Sequence, residues 1–189
     1  ARGDAGLEPL DAETCYAPYA TSLRMSDIGY KNESQAGLWV SANSLDEYIG
    51  DLTRAIRTPH PAYERIGVKV DGDWRQLNAN QLQIENEYYS TIRPKRSGGV
   101  EAVELRALDL DPFSPTGVNA RELRFAEAFL LYALLADSPP IRDAERAEIS
   151  HNHGLVARRG REPGLVLRRG GAAVPMRDWA REIVAAMQG

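Results

Sequence analysis

Val103, Leu105 and Ala107 alternate with Glu104 and Arg106 in the stretch EAVELRALDLDPFSP, Glu101 to Pro115. An extended strand sends successive side chains to opposite sides, so this period of two gives an aliphatic face toward a core and a face carrying one acid and one base. A solvated Glu/Arg pair contributes little by itself. Two neighbouring features give this one more weight. Just upstream, LQIENEYYS at Leu82 to Ser90 reads as a second strand with Gln83, Glu85, Glu87 and Tyr89 on one face. It runs into Ile92-Arg93-Pro94-Lys95-Arg96, which concentrates three cations. Carboxylates on one face of adjacent strands, with cations at one end, are the groups that a divalent metal and a phosphate require.

With 189 residues, 43% hydrophobic and 26% charged, the chain is long and apolar enough for one domain with its own core, or for part of a larger one. A formal net charge of -4 argues against a nucleic-acid surface. No apolar run approaches membrane-spanning length, and no signal-peptide pattern opens the chain. The single cysteine, Cys15, cannot form an internal disulfide, which suits the cytosol. The chain opens without Met, from which removal of an upstream segment is expected.

Ser44-Leu45-Asp46-Glu47 predicts a capping box, followed at helical spacing by a core stripe of Leu45, Tyr48, Ile49, Leu52 and Ile56 as far as Pro59. Gly67 to Val70 and Trp74 to Leu77, joined across Asp71-Gly72, predict a hairpin, so the sheet is antiparallel at least in part. Asn119 caps a helix whose Leu123, Ala126, Leu130, Leu131 and Leu134 are expected to face a core, ending before Pro139-Pro140. Arg142 to Ile149 reads as a short charged helix, His151 and His153 as loop residues, Arg158 to Gly171 as a solvated loop, and the region from Met176 as a closing helix. Arg24 and Tyr30 flank Gly29 in a loop. A guanidinium and a phenol there have the chemistry to bind an anion, while surface roles are the default for their residue types.

Three long motifs occur in order: YATSLRMSDIGY at Tyr19 to Tyr30, LQIENEYYSTIRPKR at Leu82 to Arg96, and VELRALDLDPFSPTGV at Val103 to Val118. ALLADSP in the long helix and GREPGL at Gly160 to Leu165 accompany them. Together they resemble the proteobacterial glutamate-cysteine ligase family over nearly the whole chain. The resemblance implies an α+β fold similar to glutamine synthetase, with an antiparallel sheet forming one wall of a funnel and helices behind it. It implies that residues 1–189 are a single C-terminal portion of the catalytic domain, lacking the N-terminal portion that supplies most metal-binding carboxylates.

The implied chemistry uses ATP and Mg²⁺ to phosphorylate the γ-carboxylate of L-glutamate, after which the amine of L-cysteine attacks the acyl phosphate. By the same resemblance Arg24, Tyr30 and Tyr89 match cysteine-pocket residues, Glu104 a metal ligand, and Arg106 a catalytic arginine at the glutamate and phosphate end. Arg93, Lys95 and Arg96 are expected to hold nucleotide phosphate. The partner implied is the N-terminal portion of the same enzyme, with no membrane and no nucleic acid; without that portion, independent activity is not expected. Family members have a longer segment between RPKR and the VE-x-R strand than Ser97 to Ala102 provides. Two other readings of the same residues are a non-catalytic module that binds glutamate or nucleotide, and a γ-glutamyl ligase for a different amine.

Overall fold

The computed structural model describes residues 7–26, 29, 33–35, 37–96 and 100–188. In chain order the first elements are β1 (Glu8–Pro9), β2 (Cys15–Tyr16), α1 (Leu45–Ala55), α2 (Pro61–Ile66), β3 (Lys69–Val70) and β4 (Asp73–Trp74). They are followed by β5 (Ile92–Arg96), β6 (Val100–Leu105), α3 (Ala120–Leu135), α4 (Asp143–Arg159), β7 (Val166–Arg169), β8 (Ala172–Pro175) and α5 (Met176–Ala186). Short 3-10 turns lie at Leu23–Met25, Glu33–Gln35 and Glu85–Glu87. The fold is α+β with antiparallel ladders, as expected. Among the described residues these come as the pairs β1-β2, β3-β4, β5-β6 and β7-β8 rather than as one continuous sheet. The chain divides into two compact units, Lys31–Ala107 and Ala1–Tyr30 with Leu108–Gly189.

In the unit Lys31–Ala107 the core is Val40, Leu52, Ala55 and Leu82, with Leu38, Tyr48, Ile56 and Tyr88 packed around it. Helix α1 starts where the sequence places it, because Ser44 Oγ accepts the Glu47 amide at 3.1 Å. The Glu47 carboxylate turns instead to Ser41 Oγ at 2.6 Å, so the capping box is half formed. Only part of the expected stripe is covered: Leu52 is buried and Tyr48 and Ile56 pack against the core, whereas Leu45 and Ile49 remain exposed. Pro61 at the first turn opens α2, an element the hydrophobic spacing did not predict.

The expected strand at Leu82 to Ser90 is not one. Leu82 is fully buried, and Glu85–Glu87 coil into a 3-10 turn. Side-chain amides replace a ladder here. Asn80 Nδ2 donates to Ile56 O at 2.7 Å, Asn78 Nδ2 to Gln83 O at 3.0 Å, and the Leu77 amide to Gln83 Oε1 at 2.8 Å. Polar side chains that satisfy the backbone locally remove the incentive to form a strand. Gln83, Glu85, Glu87 and Tyr89 therefore do not share a strand face.

In the other unit, α4 runs on to Arg159, so His151 and His153 are helical rather than loop residues. His153 Nε2 lies 2.9 Å from Met25 O. Of the stretch expected as a solvated loop, Val166 to Gly171 is instead strand β7 and the turn of the β7-β8 hairpin. Gly170 and Gly171 have φ of 59° and 81°, the two successive positive values that a tight hairpin turn needs. Side chains of α4 hold this hairpin. Glu148 accepts the Gly170 and Gly171 amides at 2.9 and 2.7 Å, and the Asn152 amide both donates to and accepts from the Arg168 backbone. Helix α5 begins at Met176, as expected, and turns Trp179 under the Arg169 guanidinium at 5.0 Å.

Helix α3 has the expected cap in full: Asn119 Oδ1 accepts from Arg121 and Glu122, and Glu122 reaches back to the Asn119 amide at 2.9 Å. The expectation that its leucines face a core is not met among the described residues. No α3 residue is buried, and Leu123, Leu131 and Leu134 are 55%, 55% and 78% exposed.

Candidate active site

The strand with which the sequence reading began is β6, and its partner is the basic run β5. Their register sets Arg93 opposite Glu104 and Lys95 opposite Ala102. Lys95 is therefore a diagonal neighbour of Glu104 on one face, within reach of a long side chain. Its Nζ lies 2.8 Å from Glu104 Oε2. Arg106 lies just past the end of β6, where its amide donates to Thr91 O at 2.8 Å and continues the pairing. The residue spacing of two returns its side chain to the face of Glu104, and its Nε donates to Oε1 at 3.3 Å. The Arg106 guanidinium also lies 6.0 Å from the centre of the Tyr89 ring.

Lys95, Glu104, Arg106 and Tyr89 are thus gathered on one part of the unit Lys31–Ala107. The Lys95 ammonium holds the Glu104 carboxyl below the usual glutamate range, with Arg106 adding to the effect and partial burial opposing it. Two cations beside one carboxylate leave a single net positive charge next to an aromatic face, which favours an anionic ligand. Glu104 Oε2 is enclosed and faces the Lys95 ammonium at 2.8 Å. A carboxylate oxygen is also the donor that a hard cation takes, in competition with the ammonium. Among the described residues no group of three or more His, Cys, Asp or Glu is disposed to hold a metal ion. The donor set therefore fits a single carboxylate ligand rather than a complete metal site.

Arg93 was expected at a phosphate. It is instead 6% exposed, and its guanidinium donates to Glu85 O at 2.7 Å and Asn86 O at 3.4 Å. It clamps the 3-10 turn that leads to Tyr89. Gln35, which no sequence motif singles out, completes that clamp by donating to Glu87 O at 2.6 Å and accepting the Tyr89 amide at 3.0 Å. Gln35 is more than fifty residues from both partners in the chain, so no local pattern marks it.

Arg24 belongs to the other unit. It lies on the turn Leu23–Met25, capped by Ser22. Its Nε contacts Asp109 Oδ1 at 2.7 Å and its guanidinium donates to Leu108 O at 3.1 Å. Partial burial raises the Asp109 carboxyl, but hydrogen bonds from Ser22 and Arg24 outweigh it and leave the group below the ordinary aspartate range. Gly29 is needed beside this turn, since a Cβ there would run into the Leu23 and Arg24 carbonyls. Asp109 was missed as an anchor of Arg24; the signal for it was an acid directly beyond the VE-x-R strand. Tyr30 lies outside the described residues, as does the Arg96 side chain.

The model of the glutamate-cysteine ligase family matches residues 1–156. The glutamate-cysteine ligase of Pseudomonas paraeruginosa is 50% identical over 94% of this chain and 36% of its own length. That of a Janthinobacterium species is 48% identical over 96% of this chain and 37% of its own. A solved structure of glutamate-cysteine ligase from Francisella tularensis, in complex with AMP, superposes with a TM-score of 0.90 at 35% identity. It covers 98% of this chain and 40% of that one. The chain therefore spans a little over a third of the length of the curated relatives it matches.

Proposed function

Since this chain belongs to the glutamate-cysteine ligase family, we propose that it is part of an ATP-dependent ligase joining the γ-carboxylate of L-glutamate to the amine of L-cysteine, the first step of glutathione biosynthesis. In this reading a γ-carboxylate oxygen attacks the terminal phosphorus of ATP and ADP leaves. The cysteine amine then attacks the acyl carbon, loses a proton, and inorganic phosphate leaves. The observation that carries the reading is the cluster of Lys95 and Arg106 around Glu104 in a chain of this family. Both steps build negative charge on phosphoryl and carboxylate oxygens, and fixed cations placed beforehand lower that barrier without reorganising.

Arg106 faces the developing charge and Lys95 supports the phosphate, together with Arg96. Arg24, Tyr30 and Tyr89 are proposed at the cysteine. Glu104 would be one ligand of Mg²⁺, which when bound screens the phosphate charge. Arg93 acts indirectly, by holding the turn that presents Tyr89. The remaining ligands are assigned to the part of the family polypeptide that this chain does not match. The cytoplasm is the compartment consistent with the substrates; among the described residues no helix is long and apolar enough to cross a membrane.

The test is ADP release by the family-length enzyme carrying these residues. Release is expected to require both amino acids, and Arg106→Ala is expected to lower kcat/KM by about 100-fold or more, the scale of losing one preorganised charge-stabilising donor. ADP release that ignores cysteine, or an Arg106→Ala enzyme with full activity, would overturn the reading.

A further inference from the structure

We infer that α3, with the loop leading into it, is the docking face for the section of the family polypeptide that this chain does not match. The inference rests on family membership and not on the proposed activity. Every charge of α3 lies in its first half, at Arg121, Glu122, Arg124 and Glu127; from Ala128 to Leu135 there is none. A helix apolar on nearly all sides is stable only when covered. Yet Phe125, Leu131, Leu134 and Leu135 are 54%, 55%, 78% and 84% exposed, far beyond scattered single apolar residues.

The preceding loop gives a second, independent observation. Asp111 accepts the Phe113 amide at 2.9 Å and Asn119 Nδ2 at 3.0 Å, while Ser114 and Thr116 both donate to Val118 O, at 2.7 and 2.8 Å. This hydrogen-bonded loop holds Phe113 95% exposed. A large aromatic ring fixed in water by its own backbone geometry has the form of an anchor for a partner.

The length comparison favours one occupant. About two thirds of the Pseudomonas relative lies beyond the matched region, which is ample to cover one helix. At 16 residues α3 is about 24 Å long, too short to cross a hydrocarbon layer of about 30 Å.

The experiment mixes this chain with the separately produced remainder of the Pseudomonas paraeruginosa relative and measures association by sedimentation. The expected result is a one-to-one complex. The double substitution L131E/L134E, made at exposed positions, should weaken it at least tenfold while leaving the circular dichroism spectrum of this chain unchanged, and Phe113→Ser should weaken it to a smaller degree. Equal binding by wild type and double variant would overturn the inference, as would absence of a complex. Self-association of this chain alone, lost in the double variant, would assign the face to a second copy instead. Binding to phosphatidylcholine vesicles, lost in the same variant, would assign it to lipid. A complex that forms but releases no ADP would count against the activity and leave the docking face intact.

Discussion

The β5-β6 hairpin and helix α3 solve opposite problems within one chain. The hairpin carries the chemistry-bearing charges and satisfies them locally, Lys95 and Arg106 flanking Glu104 within a few ångströms. Helix α3 has the stronger hydrophobic drive and leaves it unmet among the described residues. Ion pairing is settled between two or three side chains, and two paired strands suffice to bring them together. Burial is proportional to area, so a helix whose second half is apolar all round needs neighbours on several sides there. An ion-paired cluster can thus form from two strands alone, where an apolar helix cannot be covered by so few neighbours.

The comparison is sharpened most by substitutions in the two hydrophobic regions. Leu82→Ala, at a fully buried position, should destabilise the chain by about 2–5 kcal/mol in urea denaturation, from lost transfer energy plus the cavity left behind. A cost close to zero would mean that the Val40, Leu52, Ala55 and Leu82 cluster is not a packed core. Next in size, Arg93→Met keeps the apolar stem but deletes the bonds to Glu85 O and Asn86 O, and should cost about 1.5–3 kcal/mol. Chemical shifts of Tyr89 should move in the same variant, because its turn loses a clamp. Leu134→Ala on α3 should stay within about 0.5 kcal/mol in this chain, the range of an uncovered surface position. A multi-kilocalorie loss there would show that α3 is covered after all.

The smallest expected effect is a pH dependence at the hairpin. The Glu104 carboxyl is lowered in the folded chain relative to the unfolded one. Its contribution to stability is accordingly present above the ordinary glutamate range and lost as pH falls through the lowered folded value. Carbon-13 titration of the Glu104 carboxyl should place its midpoint below that of a free glutamate, and Lys95→Met should return it upward. An unshifted midpoint would remove Lys95 from the cluster.

Much of the chain was legible where the information is local. Asn119 and Glu122 stand three residues apart, which is the whole of a capping box, and Met176 opens its helix where the spacing of Trp179 and Ile183 begins. Leu82 to Ser90 alternates as a strand does, but its Gln83, Glu85 and Asn86 carbonyls are taken by the Asn78 and Arg93 side chains rather than by a partner strand. The Arg158 to Gly171 stretch was misread as a loop because Glu148 and Asn152, the side chains that hold its hairpin, come from another element.

The sequence by itself determined the helix caps, the period-two strand as far as Leu105, though its Val103 is exposed rather than turned to a core, and, through three long motifs, the family. Those features lie within a few residues of one another, where backbone geometry alone fixes which side chains meet. Only the tertiary structure decided that Arg93 is buried as a clamp, that Arg24 is anchored by Asp109, that Gln35 fixes Tyr89, and that α3 is left uncovered among the described residues. The Arg24 and Gln35 contacts join chain segments far apart in sequence, whose approach is set by the path of the whole backbone, and the Arg93 clamp needs a turn that the apolar alternation does not show.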